Sequence, residues 1–169
     1  VMLLSTGRAH AATLNVSGGC TLPIAINSVN AGANQSGCTA SGSYGSSDAI
    51  NIPAGTLTLT SNLPVMTEPV AIHGAGMGLT TIDGDGQYFI FEYSTSGDED
   101  LTITDLKATN FSRNAIYAHS PNLTIQNVEV DGSGSVAEFD GLNAVELTNL
   151  TSNTVSIDVD NLYVHNFNS

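Results

Sequence analysis

The chain has 169 residues, with three Lys and Arg against sixteen Asp and Glu, and a formal net charge of −13. That excludes a nucleic-acid-binding domain, which has to neutralise a phosphate backbone, and it excludes docking on an anionic membrane through a basic cluster. Only 11% of residues are charged and 41% are hydrophobic, so the composition is not that of a disordered chain, while 16 Asn, 18 Ser, 18 Thr and 17 Gly suit short strands and tight turns.

Residues 1–11, VMLLSTGRAHA, combine an apolar run, Val1 to Leu4, with a small-x-small triplet, Ala9-His10-Ala11. They read as the remnant of a secretory signal peptide. The expectation is an exported protein, secreted or held at the cell surface, outer-membrane association included. No apolar stretch approaches the ~20 residues that span a bilayer as a helix.

Residues 12–48 read as an N-terminal cap. Cys20 and Cys38 come without a Cys-x-x-Cys motif or a histidine cluster, so in an exported chain they predict one structural disulfide rather than zinc. A loop of that size stabilises the fold by about 3 kcal/mol on the chain-entropy model. Between them Leu22 to Val29 has the spacing of one short amphipathic helix, with Pro23 in its first turn. A turn-rich loop follows from Gly32 to Ser47.

From residue 49 to 169 the texture is period two. Residues 50–60 alternate apolar and polar side chains. The same texture recurs in VAIHG (70–74), TTIDG (80–84), YFIFEY (88–93), LTITDLKATN (101–110), AIYAH (115–119), LTIQNVEVDG (123–132), AVELTN (144–149) and VSIDVDNLYVHN (155–166). Leu101-Thr-Ile-Thr-Asp-Leu matches Leu123-Thr-Ile-Gln-Asn-Val 22 residues on, and the runs ending in His73, His119 and His165 match at intervals of 46. Short strands at a 20–25-residue period, with Gly, Asn and Asp at the corners, predict a β-solenoid. A β-sandwich would call for hairpin dipeptides such as Asn-Gly; the chain has none, and Asp-Gly at 83–84, 85–86, 131–132 and 140–141 alone offers that signal. Inward positions are assigned to Ile72, Ile82, Ile103, Ile125 and Ile157. The chain stops at Asn168-Ser169 directly after a strand-like run, so the coils are expected to continue beyond it.

The segment Cys20-Thr-Leu-Pro-Ile-Ala-Ile26 with Asn30 resembles the opening motif of the CSLREA-type proteins, named for Cys-Ser-Leu-Arg-Glu-Ala. The resemblance continues through Gly37-Cys38, Ser47-Asp-Ala-Ile-Asn-Ile-Pro-Ala-Gly55, Val70-Ala-Ile-His-Gly-Ala-Gly76 and Thr80-Thr-Ile-Asp-Gly84, and covers residues 14–110. It implies an exported bacterial right-handed parallel β-helix of the pectin-lyase-like type. The family's Arg-Glu pair is Pro23-Ile24 here, so any contact of that pair is absent and the cap helix is expected to start later.

Pectin-lyase-like folds include lyases and hydrolases, so an enzyme has to be weighed. Elimination from a uronate needs a base and a cation or metal on the carboxylate. The cations beyond the leader-like stretch are Lys107, read as pointing to solvent from a strand, and Arg113, read as a turn residue. A hydrolase needs two carboxylates about 5–9.5 Å apart; Asp83 and Asp85 lie in an Asp-Gly-Asp-Gly turn, where Asp is an ordinary turn former. Asp98, Glu99 and Asp100 are the densest negative charge and the one weak calcium candidate, since a cation that takes six to eight oxygens would find two or three there. Asp158 and Asp160 read as the outward face of a strand. His73, His119 and His165, about 10 Å apart if stacked two coils at a time, cannot share one metal. No cofactor is expected. The leading reading is a non-enzymatic exported β-helix module, serving as stalk, adhesin or structural repeat, with an extracellular polysaccharide or a host or cell-surface protein as partner. One alternative is the N-terminal part of a polysaccharide-active lyase or hydrolase whose cleft lies in further coils. The other is a carbohydrate-binding module that stacks sugars on Tyr88, Tyr93, Tyr117 or Tyr163.

Overall fold

Alternation with period two puts one side of each short segment into an apolar interior and the other into water. The computed structural model describes residues 11–95, 99–119, 122–136, 142–148 and 156–167. These form β1 (Thr13–Asn15), α1 (Leu22–Ala31), β2 (Asp48–Asn51), β3 (Gly55–Thr58), β4 (Val70–His73), β5 (Thr80–Asp83), β6 (Phe91–Ser94), β7 (Asp100–Thr109), β8 (Asn114–His119), β9 (Asn122–Asp131), β10 (Asn143–Thr148) and β11 (Ile157–His165). The leader-like stretch before Ala11, Asp98, Asn149 and Val155 lie outside the described residues.

Every pairing between these strands is parallel, and the pairings form three ladders. The first runs β1, β2, β4 and then the first halves of β7, β9 and β11. Its inward column is Leu14, Ile50, Ile72, Ile103, Ile125 and Val159. The second joins β3 and β5 to the second halves of the same long strands, with the column Leu57, Ile82, Ala108, Val130 and Val164. The third is β6, β8 and β10, with Phe91, Ile116 and Val145 in line. Successive passes of the chain therefore stack as coils. Stacked residues are 22 apart at Asp105 and Asn127, 31 at His73 and Thr104, and 34 at Asn127 and Asn161. The basic period is the short one, and longer passes carry inserted loops.

Ile72, Ile82 and Ile103 are fully buried and Ile125 nearly so. Ile157 is not: it sits on β11, the last rung, 48% exposed. Ile82 is buried in the second column, not in the first. The histidine match also fails as a period. His73 closes β4 on the first ladder, His119 closes β8 on the third and His165 closes β11 on the second. The three runs are alike because each strand ends at a corner, where a polar side chain meets water.

Two corner columns turn the chain. Each long strand bends at a residue with left-handed backbone, Asp105, Asn127 and Asn161, and turns again at Asn110 and Asn166. Asp and Asn tolerate this conformation better than other non-glycine residues. Glycines lie beneath them: Gly74 packs on the Asp105 carbonyl, and a Cβ on Gly132 would come within 2.7 Å of the Asn166 carbonyl oxygen. Side-chain amides bridge one corner from coil to coil, Asn161 donating to Asn127 Oδ1 at 2.8 Å and Asn127 to Asp105 Oδ1 at 3.0 Å.

At the N-terminal end α1 buries Leu22, Ala25, Ile26 and Val29 in the same apolar core. It starts at Leu22, not later as the loss of the charged pair suggested. Pro23 falls in the first turn, where a missing N–H breaks no intrahelical bond. Gly32, in left-handed backbone, ends it by donating to the Val29 carbonyl. Cys20 and Cys38 form a disulfide with Cα atoms 4.4 Å apart. Ser41 exchanges backbone hydrogen bonds with Thr13, so the outer edge of β1 is occupied. Buried Asp48 accepts from the backbone N–H groups of Ala12 and Gly45 and joins cap to coil.

Candidate functional site

On the outward side of the second ladder, β5, β7, β9 and β11 align Thr81, Lys107, Glu129 and Tyr163 in one column. The neighbouring column is Asp83, Thr109, Asp131 and His165. Parallel strands about 4.8 Å apart bring such neighbours within reach of long side chains. Lys107 Nζ lies 2.9 Å from Glu129 Oε1 and 2.7 Å from Asp131 Oδ2. His165 Nε2 lies 3.0 Å from the same Glu129 oxygen. Asp131 Oδ1 also accepts from Asn166 Nδ2 at 2.9 Å and from the Ser133 N–H at 3.0 Å. Three coils thus contribute to one cluster. Lys107, expected to point freely to solvent, is instead anchored at both carboxylates and only 25% exposed.

The electrostatics follow from these contacts. Burial alone would raise the Asp131 pKa, but hydrogen bonds from Lys107, Asn166 and Ser133 outweigh it and hold this carboxyl well below the usual range. Glu129 is lowered too: burial opposes its ionisation, and hydrogen bonds from Lys107 and His165 prevail. Burial disfavours the Lys107 ammonium, yet its two carboxylate partners raise its pKa. Both acids are therefore ionised and the lysine protonated at neutral pH. A general acid needs a raised carboxyl and a lysine base a lowered ammonium; this cluster does the reverse of both.

Among the described residues, Glu129, Asp131 and His165 are the group whose ligand atoms converge, all within 4.8 Å of one another. A metal there would sit beside a fixed ammonium already bonded to two of its three ligands. The arrangement is that of an ion-pair network. The calcium candidate was placed elsewhere: of its residues, Glu99 lines an open groove of about 570 Å³ beside α1 with Glu68 and Asp48, and Asp100 Oδ1 accepts from Asn122 Nδ2 at 3.1 Å. Asp48 in that groove is spent on backbone N–H groups.

The other candidates do not converge. Asp83 Oδ1 accepts from the Asp85 N–H at 2.8 Å, a turn, and from Asn110 Nδ2 in the next coil at 2.9 Å. Arg113 borders a small cleft of the third ladder with Phe89, Glu92, Asn114 and Tyr117. His73 meets Thr104 at 2.8 Å and His119 meets Thr148 at 3.3 Å. Asp158 and Asp160 are exposed on β11, in register with Thr124 and Gln126, but Ile157 and Val159 beside them are exposed as well. Of the tyrosines named for sugar stacking, Tyr93 is corrected, since it points into the core with no exposure; Tyr88 and Tyr117 are half-buried, and Tyr163, 56% exposed, lies on a different ladder from Tyr117.

No family model matches the chain, and no curated protein or solved structure matches it. The site therefore stands on its geometry. Sequence reasoning missed the cluster, although one signal was there. The match that sets Leu101 on Leu123 also sets Lys107 on Glu129.

Proposed function

We propose that the chain is a structural module of an exported protein, a right-handed parallel β-helix of the CSLREA type that works as stalk, adhesin or structural repeat without chemistry of its own. The observation that carries this reading is where the polar side chains go. The Lys107–Glu129–Asp131–His165 cluster and the Asp105–Asn127–Asn161 ladder both tie one coil to the next. Such side chains stiffen a stack, and in the cluster they hold Glu129 and Asp131 ionised and Lys107 protonated, the reverse of what proton transfer asks of them. A right hand is what parallel strands joined by crossover connections adopt in about 98% of cases. The disulfide fits an oxidising compartment.

The test has two arms. The purified protein is incubated with uronate and neutral polysaccharides, and unsaturated products and reducing ends are followed; neither should form. Release that disappears in Lys107→Ala would overturn the non-enzymatic reading. In the second arm the gene is expressed in its host, and Cys20 and Cys38 are probed with an alkylating reagent before and after reduction. Export predicts labelling only after reduction; two free thiols in the mature protein would overturn it.

A further inference from the structure

The open groove of about 570 Å³ beside α1 lies apart from the contacts that tie coil to coil, and its size is that of a ligand site. Val29 and Pro69 give it apolar surface, Tyr44 an aromatic ring, and Glu68 and Glu99 two carboxylates. Its walls are tied in place. Asn30 donates through Nδ2 to the Val65 carbonyl at 2.7 Å and accepts the Thr67 N–H at 3.0 Å, which fixes the segment leading to Glu68 on α1. Tyr44 donates to Asn34 Oδ1 at 2.8 Å, and Asp48 is spent on the backbone N–H groups of Ala12 and Gly45. Among the described residues no hydrogen bond or ion pair engages the carboxylate of Glu68 or Glu99. Their fields nevertheless converge. Burial first, and then the charges of Glu99, Asp100 and Glu68, hold the pKa of the Tyr93 hydroxyl well above its ordinary range, so the three acids act on one buried point. Past Ser46 and Asp48 the groove continues into a depression of about 130 Å³ walled by Ala71, Asp100 and Thr102.

We infer that this groove binds a basic, extended protein segment: one Lys or Arg side chain lies over Tyr44 with its charge on Glu68 and Glu99, and the next basic side chain on the same face reaches Asp100. The negative lining asks for a cation. A bare metal ion does not meet the terms, because the described ligand atoms that come within 4.8 Å of one another belong to Glu129, Asp131 and His165, and the acids of the groove are not among them. A charge carried on an aliphatic stem does meet them, since the stem covers the apolar surface, the charge meets the carboxylates, and the ring of Tyr44 attracts a cation placed over its face. The run from the groove into a second depression with its own carboxylate matches alternate side chains of an extended chain, roughly 7 Å apart. A second copy of this chain is repelled: each carries −13, and its Lys107 is held by Glu129 and Asp131. The groove acts in this way whether or not the module is exported or catalytic.

The probe is the synthetic peptide acetyl-Gly-Lys-Gly-Lys-Gly-amide, titrated into the whole chain at about 0.15 M salt, where charges more than roughly 8 Å apart are screened. It should bind saturably at one per chain and shift the backbone amide resonances of residues 44–48 and 99–102, whereas acetyl-Gly-Gln-Gly-Gln-Gly-amide should not bind. Glu68→Gln with Glu99→Gln should weaken binding about tenfold. Asp158→Asn with Asp160→Asn, the same change of charge on the exposed β11, should leave it unchanged. Tyr44→Phe should keep the affinity and Tyr44→Leu reduce it; if the latter does not fold, the two charge pairs decide alone. Absence of saturable binding, equal weakening in the two charge pairs, or full affinity in a folded Tyr44→Leu would overturn the proposal. So would binding that appears only in Arg8→Gln, since the cation of the groove would then be the chain's own.

Discussion

Replacing Lys107 by Ala leaves Glu129 and Asp131 without the cation that joins them, and leaves two ionised groups in a partly covered cluster. The expected loss is about 1–3 kcal/mol, the worth of hydrogen bonds to charged groups and more than an exposed surface pair. Chemical denaturation of Lys107→Ala beside the parent measures it; a change under about 0.3 kcal/mol would mean a solvated lysine. The pH dependence has a definite sign. Glu129 and Asp131 titrate below the unfolded values of about 4, so their contribution is complete above that range and is lost as the pH falls through the folded values. Lys107 titrates above about 10.4, so its contribution is complete below that pH and is lost as the pH rises through its folded value. The difference in stability between parent and Lys107→Ala should shrink in acid, below about pH 4, and in alkali, above about pH 10. Melting curves for the pair across that range check it, and a difference unchanged in strong acid would contradict the ion-pair assignment.

At the scale of elements, burial separates residues that alternation alone treats alike. Ile103 has coils on both sides and no exposure, whereas Ile157 has β9 on one side, no described strand on the other, and is 48% exposed. Ile103→Ala should cost about 2–5 kcal/mol and Ile157→Ala under about 1 kcal/mol; equal losses in denaturant titrations would count against this order of coils. The strands themselves were legible, because Leu101-Thr-Ile-Thr and Leu123-Thr-Ile-Gln carry both the alternation and the 22-residue spacing. What hid the rest was loop length. His165 follows Asp131 one coil on, but 34 residues separate the corresponding Asn161 and Asn127, so no fixed period aligns them. In YFIFEY the apolar residues fall on both sides of the strand, and only packing shows that Phe91 and Tyr93 face inward while Glu92 does not. Lys107 was misread because a lone cation on a strand looks solvated until its neighbours across the ladder are known.

At the scale of the molecule, Asp48 and the apolar face of α1 join the cap to the stack, so the two should unfold as one cooperative body. Reducing the Cys20–Cys38 bond should then lower the stability of the whole by about 3 kcal/mol and not merely loosen the cap. Denaturation with and without reductant, followed at once by a cap probe and a coil probe, tests this; two separated transitions would contradict it. The composition legible at the outset, rich in Asn, Thr, Ser and Gly, acquires its reason here: a coil stack needs polar residues at its corners and on its outer face. The most direct test of the parallel stack is cross-linking by register. Thr102 pairs with Thr124, and Thr124 pairs with Asp158, all on the outer side of the first ladder. Adjacent parallel strands lie about 4.8 Å apart, within the roughly 4.4–6.8 Å that a disulfide spans. Thr102→Cys with Thr124→Cys, and Thr124→Cys with Asp158→Cys, should each close a disulfide under mild oxidation, while Thr102→Cys with Glu129→Cys should not. Closure of the staggered pair in preference to the aligned ones would contradict the stacking of coils from which every function proposed above is drawn.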